Sequence, residues 1–250
     1  MKTKKSGPRR FRWNELLRVC LFLIAGLSHQ LLQAADQSGE VFVQAVSGSV
    51  QYSVDGAAWK TLVVDALVPA GATIKTSAAS TVDLLLRYNG SVLRLTPNSK
   101  LRLEKLVAQN TGEETITDTR FNLLEGILIG SQRKLHAPSK LQVATPGATA
   151  TIHGTEYVIN ANGAVSVLSG EVSVNYNLPG NGGDIKVTLL PGQTFDPATG
   201  KVVTTTAAFL QNLIADINTV KKNAEVFKVG GATIVVKNLN NEPVSPTAAK

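Results

Sequence analysis

Short alternations of apolar and polar residues run from Glu40 to about Val203, broken at frequent intervals by Gly, Asn, Asp or Pro. Val41, Val43 and Ala45 alternate, as do Val50, Tyr52 and Val54, then Val82, Leu84, Leu86 and Tyr88, and later Val172, Val174 and Tyr176. A period of two puts each set on one face of a sheet, so this stretch is expected to be all-β. Turn chemistry agrees. Asn89-Gly90, Asp55-Gly56 and Asn162-Gly163 read as two-residue hairpin turns, since Asn and Gly best tolerate positive φ at both central positions. The run from Pro179 to Asp184 reads as a longer loop.

Glycines also stand just ahead of four apolar segments, at Gly48, Gly90, Gly126 and Gly170. Their spacing, 36 to 44 residues, falls in the range of stacked units. The expectation is a β-solenoid-like roll of short antiparallel strands and hairpins rather than a closed barrel, because each unit would bury its inward residues on its neighbours. After Thr205 the period changes. Phe209, Leu210, Leu213, Ile214, Ile217 and Val220 fall on one helical face, with Thr205 or Thr206 as cap and Lys221 and Lys222 at the negative end of the dipole. One C-terminal amphipathic helix packed on the β domain follows from this. Val226 to Leu239 reads as a strand extension, and 240–250 as a polar, disordered tail.

Charge divides the chain differently. Seven basic residues against one acidic lie in residues 1–35, a net +6 of the overall +7, and 18 basic against 17 acidic make up the rest. The basic start is followed by an apolar core from Val19 to Leu27 and small residues at Ala34 and Ala35. That is the pattern of an export signal, and the core is shorter than the roughly 20 residues that span a bilayer. Cleavage is expected near Ala35, giving a periplasmic or secreted product; an uncut segment would tether the domain to the membrane. Arg9-Arg10 fits a twin-arginine signal poorly, with Pro8 before it and Arg12 after it. The one cysteine, Cys20, leaves with the signal. The remainder then has no disulfide or thiolate site, and its near-neutral charge removes nucleic acid as a partner.

Residues capable of chemistry are sparse. His136 and His153 are too far apart in sequence to define a dyad, and the offset of three between His153 and Glu156 puts them on opposite faces of a strand. Glu113-Glu114 and Asp118 read as solvated charge in a polar loop. Gly180 to Asp184 is a single glycine-aspartate run, whereas calcium-binding repeats of this kind need stacked copies. Neither a serine elbow nor a phosphate loop is present. No catalytic, metal or cofactor site is therefore expected. Trp59, with Tyr52 or Tyr88, is the candidate exposed aromatic for stacking on a sugar; its competing reading is a core tryptophan.

One succession of phrases is more specific than any of these. Trp59 and Leu62 lead to Val68-Pro69-Ala70-Gly71-Ala72-Thr73-Ile74-Lys75-Thr76, then Val82-Asp83-Leu84-Leu85-Leu86 and Asn89-Gly90-Ser91-Val92-Leu93-Arg94-Leu95. Ala144-Thr145-Pro146 precedes Ile152-His153-Gly154-Thr155-Glu156-Tyr157, then Val165-Ser166-Val167-Leu168-Ser169-Gly170-Glu171-Val172 and Val187-Thr188-Leu189-Leu190-Pro191-Gly192-Gln193. Across residues 41–196 this order and spacing resembles the FecR family. The resemblance implies a periplasmic all-β domain, solenoid-like in relatives, used in cell-surface signalling; in the best understood members it passes a signal from an outer-membrane transporter through the inner membrane to a sigma factor. It also implies turn and packing roles for Gly154, Thr155, Gly170 and Gly192. Two departures stand out. His153 occupies a place where relatives often have Arg, and with about 18 residues ahead of the apolar segment no sigma-binding region is expected there.

The chain is thus expected to divide into a signal at 1–35, a FecR-like β domain at 36–203, a helix and strand extension at 204–239, and the tail. Its expected role is an exported, non-catalytic envelope interaction or signalling module that meets a protein partner through strand edges or solenoid faces. A glycan- or peptidoglycan-binding β domain is the alternative and would use Trp59. A hydrolase, the third reading, would need converging acids or His136 in a cleft.

Overall fold

The computed structural model describes residues 37–111, 115–135, 137–177, 183–224, 226–229 and 232–235. The segment assigned to export with its cleavage point near Ala35, Glu113-Glu114, His136, most of the loop at 179–184 and the polar tail lie outside them. Strands β1 (Gln37–Ser38), β2 (Glu40–Ser47), β3 (Val50–Ser53), β4 (Lys60–Thr61), β5 (Leu67–Pro69) and β6 (Thr73–Thr76) come first. Next are β7 (Thr81–Leu86), β8 (Ser91–Leu95), β9 (Lys100–Asn110), β10 (Thr115–Glu125) and β11 (Ile127–Ser131). Then follow β12 (Lys140–Ala144), β13 (Ala148–Ile152), β14 (Glu156–Asn160), β15 (Val165–Ser169), β16 (Val172–Asn177), β17 (Asp184–Leu189), β18 (Gln193–Asp196) and β19 (Lys201–Thr204). Helix α1 (Ala207–Ala224) follows, and β20 (Val226–Val229) pairs with β21 (Ala232–Val235) as a separate two-stranded sheet.

The other strands form two large sheets. The first has the order β17-β16-β13-β12-β10-β9-β6-β3-β4, with β1 beside β9, and the second β19-β18-β15-β14-β11-β8-β7-β2-β5. Neighbours are antiparallel except for the parallel β10–β12 pair, whose connection detours through β11 in the second sheet. From β6 onward the chain lays strands in one sheet, crosses, lays strands in the other, and advances. The domain is all-β with one C-terminal helix, and neither sheet closes on itself.

The period-two residues form the core between the sheets. Leu84, Leu93, Leu95, Leu128, Tyr157 and Phe195 of the second sheet meet Ile74, Leu101, Leu103, Phe121, Leu123 and Val143 of the first, all buried. Burial of each such side chain contributes roughly 1.5–3 kcal/mol. Where the alternation is written in threonine it is harder to see. Thr117 and Thr119 are buried in β10, so Asp118 belongs to a strand, paired with Lys105 of β9, and not to a polar loop.

The turns depart from the two-residue form. Leu86 pairs with Ser91, so Asn89-Gly90 ends a four-residue connection closed by Gly90 N–H to Leu86 O. Gly90 alone of the two has positive φ, and the Asn89 side chain accepts from the Ser91 amide. At 160–163 the Gly163 amide donates to Asn160 O, again with positive φ at the glycine only. Asp55 holds a longer loop by accepting from the Ala57 and Ala58 amides and the Ser53 hydroxyl, which lowers its carboxyl to about 2.

The glycine repeat marks crossings between the sheets. At Gly48, Gly126 and Gly170 the chain leaves one sheet for the other with φ near +75°, and the next amide donates to a hydroxyl on a neighbouring crossing. Ser49 N–H reaches Ser80 Oγ at 2.9 Å, Ile127 N–H reaches Ser99 Oγ at 3.0 Å, and Glu171 N–H reaches Thr155 Oγ1 at 3.2 Å. Side chains at these glycines would collide with that partner. A Cβ on Gly126 would lie 2.6 Å from Ser99 Cα, and one on Gly170 would lie 2.1 Å from Gly154 O. Gly90, the remaining member, lies within a hairpin and lacks this clasp.

Candidate docking face and open edge

On the outer face of the second sheet, cross-strand neighbours form one row: Val203, Thr194, Ser166, Val158, Ile129, Arg94, Asp83 and Ala45. Helix α1 lies along part of it. Its 18 residues extend about 27 Å at 1.5 Å per residue, close to the roughly 24 Å spanned by five strand spacings from β15 to β2. Leu213 and Ile217 pack on Ile129 and Val158, and Val220 packs on Phe42, Leu85 and Val92.

Charge fixes the middle of this contact. Arg94 donates from Nε to Asp83 Oδ1 at 2.7 Å and from Nη2 to Asp83 Oδ2 at 2.8 Å, a bidentate pair between adjacent strands. From the helix, Asn223 donates to Asp83 Oδ2 at 2.6 Å and Asp216 accepts from Arg94 Nη1 at 3.3 Å. The Asp83 side chain is 2% exposed and that of Arg94 14%. The hydrogen bonds to Asp83 hold the guanidinium above its ordinary range against the opposing effect of burial. Between Asp216 and Asn223 on the helix, Lys221 pairs with Glu156.

The N-terminal half of α1 is less well seated. Phe209 lies on the same helical stripe as Leu213 and Ile217 but is 43% exposed, over a groove of about 510 Å³ bordered by Ile129, Val158, Thr194, Val203 and Leu213. Along its floor Ser166 Oγ lies 2.8 Å from Thr194 Oγ1, which lies 2.7 Å from Thr205 Oγ1. Thr205 is thereby committed to the sheet. Thr206 occupies the cap position through its carbonyl, which accepts from the Leu210 amide.

Beyond the groove lies β19, the last strand of the second sheet, with all four residues exposed. The pairing of Thr205 N–H with Gly192 O sets the alternation of the β18–β19 ladder. Residues 201, 203 and 205 bond inward, and the main-chain groups of Val202 and Thr204 face the open edge.

Three of the residues singled out from the sequence meet at one crossing. Thr155 Oγ1 donates to Glu171 O at 2.7 Å and accepts from Glu171 N–H, while Gly170 presses on the Gly154–Thr155 backbone. Gly192 lies apart, in the Leu190–Gln193 turn after Pro191, with φ +79° and open space where a Cβ would be. Trp59 is half-buried beside β4, with Lys75 Nζ 4.0 Å above its ring. His153 is exposed and Glu156 is taken by Lys221. Among the described residues no group of three or more His, Cys, Asp or Glu side chains is placed to hold a metal ion. No helix among them is long and apolar enough to cross a membrane.

Sequence reasoning passed over Asp83, Arg94, Asp216 and Asn223. For the first two the signal was the register of the hairpin: once Leu86 opposes Ser91, Asp83 must oppose Arg94.

No curated protein matches the chain. Two crystal structures, each of a protein assigned as an anti-sigma factor from Parabacteroides distasonis ATCC 8503, are similar to it. The first, at 18% identity and a TM-score of 0.42, covers 57% of this chain, which spans 64% of that one. The second, at 16% identity and a TM-score of 0.42, covers 66% of this chain and 98% of its own. The model of the FecR family, described as FecR protein, matches residues 72–173. The stretch that the FecR model matches holds the Asp83–Arg94 pair and the clasped crossings at Gly126 and Gly170, and over residues 72–173 the chain carries a FecR domain.

Proposed function

We infer that the chain is an exported, non-catalytic module of the cell envelope that engages a protein partner in signalling or scaffolding. The FecR domain over residues 72–173 is the observation that carries this reading. Two features support it: an outer face that seats a helix by apolar packing and a shielded ion pair, and a strand edge left open. Export rests on the basic-then-apolar pattern of residues 1–35, with cleavage near Ala35. A solenoid-like description of the fold is supported by the spatial order of strands, which follows chain order in both sheets from β6 onward. Gly154, Thr155, Gly170 and Gly192 then serve as turn and packing residues.

Affinity capture of the exported protein from intact envelopes tests the role. Recovery of a transporter or a regulatory protein is expected, and recovery of glycan alone would replace the proposal. Glycan binding would require Trp59 to give up Lys75, so sugar-dependent quenching of Trp59 emission is its signature. Mass measurement of the exported N-terminus tests cleavage; a chain that still begins at Met1 would mean a tethered domain.

A further inference from the structure

We propose that β19 is a strand-addition site, taking an extended segment of a partner protein whose residues opposite Val202 and Val203 are apolar and uncharged. This rests on the protein-binding role inferred above and names where and how the partner binds.

The four sheet ends are not equivalent. β4 has two residues, and β5 has three, the last of them Pro69. β17 is six residues long but carries Asp184 and Lys186, the kind of charge that keeps an edge from pairing. β19 has neither proline nor charge over Val202, Val203 and Thr204, and its one charge, Lys201, stands at the outset opposite Asp196. Because Val202 and Thr204 turn their amide and carbonyl groups outward, the edge offers a row of main-chain donors and acceptors that another polypeptide strand would satisfy.

Both faces of an added strand would find apolar neighbours. On the outer face, the residue opposite Val203 would extend the row through Thr194 and Ser166, beside Phe209 and the groove. On the inner face, the residue opposite Val202 would extend the row through Phe195 and Val165, at the end of the core. Val202, Val203, Phe209 and Leu190 are exposed large hydrophobic side chains at or near this end. The lack of charge from 202 to 206 selects a segment with uncharged residues at the matching positions. A second copy meets this description less well, because antiparallel self-pairing would engage only the four residues of β19 on each side.

Selection of a phage-displayed peptide library on the full exported chain tests the proposal. Enriched peptides are expected to carry adjacent apolar residues and to bind Val202→Pro about tenfold more weakly, since that change removes an outward amide and leaves the β18 bonds intact. Lys186→Ala on β17 is expected to leave binding unchanged. Circular dichroism verifies that Val202→Pro is folded, and Val202→Lys, which only charges the edge, replaces it if it is not. No enrichment, or peptides that bind both edge variants as tightly as wild type, would overturn the proposal. So would a concentration-dependent dimer in sedimentation that Val202→Lys abolishes, since a second copy would then hold the edge. If envelope capture recovers the same partner with wild type and Val202→Lys, the protein-binding role stands and the β19 site falls.

Discussion

Replacing Arg94 with Met tests whether the helix and the FecR domain share one buried electrostatic anchor. The substitution keeps an unbranched chain of similar reach but strips the Asp83 carboxylate of two of its three hydrogen bonds, leaving only Asn223. With Asp83 at 2% exposure, water cannot replace the lost donors, and breaking one partner of such a pair costs about 3–5 kcal/mol. Total stability for a domain is roughly 5–15 kcal/mol, so the midpoint of thermal unfolding should fall by about 10 °C. Asp83→Ala alone should also destabilise, by stranding the mostly buried guanidinium. The double variant Asp83→Ala, Arg94→Met should recover to within about 1 kcal/mol of wild type, because removing both charges also removes their desolvation cost. The assay is a double-mutant cycle in denaturant, followed by hydrogen exchange at α1 amides. A loss below about 1 kcal/mol for Arg94→Met, or additive single losses, would mean that the pair is solvated and the helix is not seated over it.

Three further outcomes follow from the packing. Gly170→Ala should cost about 3 kcal/mol, combining strain at φ +78° with a collision against Gly154 O, whereas Gly192→Ala, with open space at its Cβ, should cost about 1 kcal/mol; denaturant midpoints compare them. Thr155→Val should cost about 1–3 kcal/mol by leaving Glu171 N–H without its acceptor, and Thr155→Ser should restore most of that in the same titration. Tyr157 is fully buried with an unpartnered hydroxyl, and burial pushes its ionisation far above the ordinary range. Tyr157→Phe should therefore leave stability unchanged or raise it by up to about 1 kcal/mol, and a clear loss would point to a partner for that hydroxyl.

How legible these features were depended on which force wrote them. Burial between the sheets writes a period of two, so Val41, Val43, Val82, Leu84, Leu86, Val172 and Val174 could be placed from the sequence, and all are buried; Ala45 departs from its set because a bulge after Val43 turns it to the outer face, and Val54 and Tyr88, just past the ends of their strands, are exposed. The helix was legible from its stripe, but the depth of its seating was not. Leu213, Ile217 and Val220 are buried, while Phe209 and Ile214 remain about 40% exposed, because seating depends on the sheet beneath as much as on the helix. Asp83 and Arg94 were misleading for the opposite reason. On alternation alone both belong to the solvent face of their hairpin; that face is covered by α1, more than a hundred residues later in the chain. The glycine repeat was visible as a spacing, yet its partners Ser80, Ser99 and Thr155 lie 16 to 31 residues away and share no motif with it.

That hidden half of the repeat bears on how the domain ends. Each clasp joins one crossing to another by a single hydroxyl and a glycine too close to admit a side chain, so registration between successive crossings is set locally rather than by closure of a barrel. A structure built by local addition has no internal rule that stops it. Some feature must terminate each edge, and at β4, β5 and β17 that feature is shortness, proline or charge. At β19 none of these is present, although helix α1 begins only three residues after the strand and could have been placed over the edge. Instead the helix turns back across the sheet and covers the charged row at Asp83 and Arg94. The stabilising element thus protects the buried ion pair and leaves the last strand uncapped, an arrangement that makes structural sense if that edge is completed by another polypeptide.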